Sequence, residues 1–147
     1  MGDTSGVRSD PLYELTVHDC WALLERAALG RLAVAVGDVV DVFPVNYAVD
    51  ADHRLLFKTS EGTKLAALTV NRHVAFEVDG TDDQNAWSVV VKGVARPVDR
   101  LDERVAAERL PIVSWLPTRK TRIVAIEPTS VTGRGFVRGV EPDSDWY

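Results

Sequence analysis

Gly37 and Asp38 separate two strand-like runs, Leu32-Ala33-Val34-Ala35-Val36 and the stretch from Val39 to Val49. A connection that short reads as a hairpin turn, so the two runs are expected to pair antiparallel. The same rhythm continues along the chain. A third run covers about Arg54 to Lys58, Val74 to Asp79 alternates apolar and polar residues, and Trp87 to Val98 makes a long strand with Gly93 as a bulge or bend. Arg122 to Phe136 reads as one strand or as a hairpin broken at Pro128 and Gly133. Pro44 interrupts the second run, which places it at an edge, a bulge or an opening in the ladder.

Helical patterns are fewer. Thr16 has the place of an N-cap with Asp19 three residues on, and Cys20, Leu23, Leu24, Ala27 and Ala28 form an apolar stripe that Gly30 is expected to end. A short helix follows over Lys64 to Val70, and a third covers Leu101 to Leu110 with Asp102 and Glu103 in its first turn. Many strands with short turns and a few peripheral helices predict a mainly β fold, a closed antiparallel barrel. At 147 residues it is one domain over 12–138, with a lead-in over 1–11 expected to be disordered and a loose acidic tail over 139–147.

The stretch Lys58-Thr59-Ser60-Glu61-Gly62-Thr63-Lys64 carries the chemistry. It puts two lysines, three hydroxyls and a glycine between a strand and a helix, and it holds half of the four lysines in the chain. Backbone N–H groups lack partners at a helix start, where the dipole also favours negative charge, so this is an anion-binding inventory. The bland reading is a solvated loop whose Thr63 caps the helix, but Lys64 argues against it. A cation in the first turn is opposed by the dipole at a cost of about 0.3–1 kcal/mol and sits better beside a bound anion.

Such a site has to be local, because the formal net charge is −5 and no basic block would draw the chain to nucleic acid or an acidic membrane surface. The single cysteine, Cys20, allows no intrachain disulfide and reads as a small buried hydrophobe. No apolar run is long enough to span a bilayer, and the expectation is a soluble cytoplasmic protein. His18, His53 and His73 are scattered over a helix start, a turn and an element boundary, so no nucleophile–base–acid set or metal-ligand spacing emerges.

Taken in order, Gly30-Arg31-Leu32-Ala33-Val34, Phe43-Pro44-Val45-Asn46-Tyr47, Phe57 to Leu65 and Val74 to Asp79 resemble the pyridoxamine 5′-phosphate oxidase-like family, especially its small actinobacterial-type and nitroimidazole-resistance members. The resemblance covers Thr16 to Phe136 and implies an FMN-binding split β-barrel, a homodimer with two flavin sites at the subunit interface. It implies further that Lys58, Thr59, Ser60 and Lys64 grip the flavin phosphate. Pro44, Val45, Asn46 and in a lesser role Tyr47 would line the ring, and Trp87, with Trp115 a weaker candidate, would reach the site from the second subunit. The chain departs from the vitamin-forming oxidases at its end, where Thr132-Gly133-Arg134-Gly135-Phe136-Val137-Arg138 stands and no histidine follows Asp79. The implied activity is an FMN-dependent oxidoreductase with a small substrate; a non-catalytic flavin carrier and a deazaflavin-dependent reductase are the alternatives.

Overall fold

The computed structural model describes residues 11–59, 62–112 and 122–139. Its strands are β1 (Leu12–Glu14), β2 (Leu29–Val36), β3 (Val39–Asn46), β4 (Ala48–Val49), β5 (Leu55–Thr59), β6 (His73–Thr81), β7 (Asn85–Pro97) and β8 (Arg122–Val137), with helices α1 (Val17–Arg26), α2 (Thr63–Val70) and α3 (Leu101–Glu108). All pairings are antiparallel, in the order β3-β2-β6-β7-β8-β5-β4, with β1 added to β8. β3 therefore stands at one edge and β4 at the other, yet only Tyr47 separates them in sequence. Consecutive Cα atoms are about 3.8 Å apart, so the two edges must come together at this residue. The sheet curls into an antiparallel split barrel.

Tyr47 is also the residue that fixes α1 to the seam. It is 3% exposed, its ring meets Phe76 edge-on at 4.8 Å, and its hydroxyl donates to Leu24 O at 2.6 Å. The last carbonyls of a helix have no partner within it, and this bond satisfies one of them. Its N–H donates to Ala28 O at 3.3 Å, and Asn46 Nδ2 reaches the same oxygen at 3.1 Å.

The interior holds Leu24, Leu32, Leu55, Phe57, Phe76 and Val91, while Leu56, Val98, Ala107, Ile123 and Ala125 form a second cluster beneath α3. β5 is thus covered on both faces, with Leu55 and Phe57 turned inward and Leu56 outward. Arg96 pins α3 to the barrel by donating to Glu103 at 2.9 and 3.2 Å and to Glu127 at 2.9 Å. Those bonds raise the guanidinium pKa, Glu103 first and Glu127 next.

Several expectations hold in detail. Thr16 caps α1, its Oγ1 accepting from the Asp19 N–H at 3.1 Å; Cys20 is buried, which raises its pKa; and the β7–β8 register shifts between Lys92 and Gly93. Others are corrected. α1 stops at Arg26, and Gly30 lies within β2, where a Cβ would overlap the Phe76 ring. Pro44 lies on an edge strand, one of the settings expected for it, but does not interrupt that strand, and the break falls at Tyr47. For Arg122 to Phe136 the one-strand reading holds, β8 running through Pro128 and Gly133. β1 was not foreseen; three residues are too few to show a period. The lead-in up to residue 10 and the tail from residue 140 lie outside the described residues.

Burial raises the Tyr47 pKa, and the nearby Arg31 charge only partly opposes it. The neutral phenol is therefore favoured in the folded state. Its contribution is complete below the ordinary tyrosine value of about 10 and is lost as pH rises beyond it. Tyr47→Phe is expected to lose about 1–2 kcal/mol at pH 7 and to fall less steeply than the parent between about pH 9 and 11, read from urea midpoints at each pH.

Candidate functional site

The segment after β5 leads into a helix whose N-cap is a glycine, which brings no capping side chain of its own. Gly62, not Thr63, is the N-cap of α2, it makes no side-chain cap hydrogen bond, and the first turn holds no acidic residue. Among the described residues, a Cβ built at Gly62 would meet nothing within 4 Å. Thr63, expected at the cap position, is instead the first residue of the helix.

Lys64 extends from this turn over two rings, its Nζ lying 5.8 Å from the Phe43 centroid and 5.7 Å from that of Phe57. Phe43 belongs to β3 and precedes Pro44, while Phe57 belongs to β5 and precedes Lys58. One ammonium thus bridges both strands that flank the barrel seam. An aromatic face attracts a cation by about 0.5–1 kcal/mol at an exposed site, which helps to fix where Lys64 stands.

The other residues singled out from the sequence fall into distinct places. Lys58 leaves β5 on the face opposite Phe57 and pairs with Glu108 of α3 at 3.4 Å, so the two lysines approach β5 from its two sides. Thr59 is 2% exposed and turned inward, and Val45 is 4% exposed within the core, leaving backbone as what Val45 can offer a ligand. Pro44 is exposed and Asn46 half-buried on the outward side of β3. Tyr47 is core. Trp87 is half-buried, and its ring covers Gly80, its cross-strand neighbour, beside a cleft of about 380 Å³ that Ser88 and Arg134 also line. β2 and β6 stand between its strand and β3, so within one chain Trp87 does not join the others. Ser60 and Trp115 lie outside the described residues.

The structure adds residues that sequence reasoning missed: the two phenylalanine rings under Lys64, Glu108 beside Lys58, and Arg122 directly across the ladder from Thr59. Only the rings had a signal, as immediate neighbours of singled-out residues. The histidines stay apart. His18 and His73 are exposed, and His53 stacks on Trp21 at 4.3 Å. Among the described residues no group of three or more His, Cys, Asp or Glu could hold a metal ion, and no helix is long and apolar enough to cross a membrane.

A sequence profile of the pyridoxamine 5′-phosphate oxidase family matches residues 16–135, most of the chain. The chain belongs to that family. The uncharacterized protein Rv3129 of Mycobacterium tuberculosis is 41% identical over 90 residues, covering 60% of this chain and 81% of its own. A Corynebacterium glutamicum crystal structure, provisionally named a pyridoxamine 5′-phosphate oxidase, is 38% identical with a TM-score of 0.83 over 92% of this chain and 100% of that one. A Mycobacterium smegmatis structure named as an FAD binding protein is 40% identical with a TM-score of 0.75, covering 86% and 100%. Family and fold therefore agree.

The ion pairs differ in what they hold. Glu108 is 60% exposed beside Lys58, so Glu108→Gln is expected to change stability by less than about 0.5 kcal/mol. Arg96→Gln removes the donor that Glu103 and Glu127 share, with Arg54 remaining 3.8 and 3.6 Å from them, and is expected to destabilise more than Glu108→Gln. Chemical denaturation of both variants at pH 7 measures the difference.

Proposed function

We propose that this chain is a flavin-dependent oxidoreductase, working as a homodimer on a small substrate and holding riboflavin 5′-phosphate, the whole of FMN and one half of FAD. The observation that carries the reading is the Lys64 ammonium set over Phe43 and Phe57 at the start of α2, whose N-cap is Gly62. A phosphate dianion fits that donor set. It would take the first N–H groups of α2 and the charge of Lys64, with Lys58, Thr59 and Ser60 on the preceding strand and loop. The outward side of β3 would hold the ring through Pro44, the Val45 backbone and Asn46.

A bound flavin supplies hydride or electron transfer, and the protein's part is to orient it, tune it and exclude water. The phosphate end is where this chain does most. Glu108 is exposed and only loosely paired, so Lys58 can exchange it for a phosphate oxygen at small cost. Asn46 is held by Ala28 O at 3.1 Å, which orients its amide on the seam.

The homodimer is supported by the outward face of β3. Val40 is 65% and Val42 60% exposed on the same side as Pro44, next to Ala33 and Ala35 of β2. An apolar edge strand left open is an aggregation hazard, and a second copy would cover it. Trp87 would then be the partner's contribution to the ring site.

Purified protein is expected to be yellow, with a flavin absorption band, and to oxidise a nicotinamide donor in the presence of an acceptor. A coloured protein without turnover would be a flavin carrier. Lys64→Ala is expected to weaken FMN binding by roughly tenfold or more, the factor that about 1.4 kcal/mol gives, while the far-UV circular dichroism stays unchanged. Unchanged flavin occupancy in that variant sinks the assignment. Val42→Lys is expected to yield a monomer by size-exclusion chromatography with light scattering, and to lose flavin with the interface.

A further inference from the structure

Arg31, Glu77 and Asp79 form an ion cluster on the outward face of the sheet, and its charges do not balance. Arg31 donates to Glu77 Oε1 at 2.6 and 2.8 Å and to Asp79 Oδ2 at 3.0 Å. One guanidinium thus serves two carboxylates. Burial first, then the Asp79 carboxyl beside it, push the Glu77 carboxyl above its ordinary range, and Arg31 opposes them only in part. Val90 and Ser88 of β7 stand opposite Glu77 and Asp79 and carry no charge. Farther out on this face lie Lys92 of β7, which is exposed, and Arg134 of β8 across from Ser88, with Glu14 of β1 opposite Arg134 in turn.

The cluster shares its face with the apolar surface of β3. Residues paired directly across a ladder project to the same side, as do residues two apart along a strand. Pro44 pairs with Arg31 and Arg31 with Glu77, while Val42 pairs with Ala33 and Ala33 with Ala75. The exposed valines therefore run without a break into the charged cluster. A stable interface covers roughly 800 Å² and about 20–30 residues on each partner. Val40, Val42 and Pro44 fall far short of that, so a second copy seated on them has to extend over β2 onto β6. Arg31 is 34%, Glu77 31% and Asp79 57% exposed, so all three have water to lose there.

We propose that association of two copies through this face takes up a proton at the Glu77–Asp79 pair of each copy, so that the dimer tightens as pH falls. The proposal rests on the homodimer reading above and adds how that assembly responds to pH. Covering the cluster strips water from two carboxylates and one guanidinium, which leaves one negative charge uncompensated. A carboxyl group relieves that cost by keeping its proton. Its pKa is then higher in the dimer than in the monomer. Such a group favours the dimer in full below its monomer value, and the advantage is lost as pH rises through the dimer value. Both values lie above the ordinary glutamate value of about 4.3, because the Glu77 carboxyl is already pushed up within one chain.

The test is the dimer dissociation constant of the purified protein, measured by sedimentation velocity from about pH 5.5 to 8 at one salt concentration, a range above the ordinary glutamate value. The constant is expected to rise at least about tenfold over that range, the factor that one pKa unit of difference at one site gives. Glu77→Gln leaves Arg31 facing Asp79 alone, a balanced pair. With its thermal unfolding compared to the parent, that variant is expected to hold the parent's low-pH constant across the whole range. Asp79→Asn restores the same balance from the other side and is expected to flatten the profile as well. A parent constant that does not change with pH, or a slope that survives in either variant, overturns the proposal and leaves the homodimer standing. A chain that stays monomeric at every pH removes the homodimer reading itself.

Discussion

The hydrogen bond from the Tyr47 hydroxyl to Leu24 O ties together three things that would otherwise be independent: the closure of the sheet, the end of α1 and the position of the seam. A buried phenol must find an acceptor, and the end of a helix has carbonyls to spare. Each need satisfies the other. Asn46 and Tyr47 then converge on Ala28 O, so the outgoing chain after α1 and the junction of the two sheet edges form one unit. Pro44 and Val45 inherit their positions from that junction, and a ligand bound along β3 would rest on a strand whose far end cannot move freely.

Closure at a single residue also sets what the seam can expose. β5 is buried on both faces and offers only its end, whereas β3 keeps one face outward. Phe43 and Phe57 come from these two strands, and Lys64 reaches both because α2 starts immediately beyond β5. The site is therefore a consequence of barrel topology, positioned by contacts far apart in sequence.

Periodicity and turn chemistry made most of the strands legible in advance, and the Gly37–Asp38 hairpin and the Thr16 cap were readable residue by residue. What stayed hidden depends on register. Nothing local to Gly30 distinguishes a helix end from a strand glycine lying under the Phe76 ring 46 residues away, and the apolar stripe through Ala28 favoured the former. Likewise Leu55-Leu56-Phe57 shows no alternation, because both faces are buried, so the sequence could not say which way Lys58 points. Composition located the cationic segment; only pairing places Arg122 beside Thr59 and Trp87 away from β3.

The division of labour among the basic residues follows from their chemistry. Arg31, Arg54 and Arg96 each hold carboxylates at 3.0 Å or less, joining β2 to β6, closing the turn before β5 and fastening α3. A planar fork with several donors is the residue type for such fixed, many-partnered joints. Lysine is a compact point charge on a flexible stem; at the seam Lys58 meets an exposed glutamate at 3.4 Å, and Lys64 stands over two ring faces. In a chain of net charge −5, an anion would gain nothing from the long-range field, which salt screens beyond about 10 Å. It would be held by contact alone, and contact is strongest where the cation's existing partners are cheap to displace.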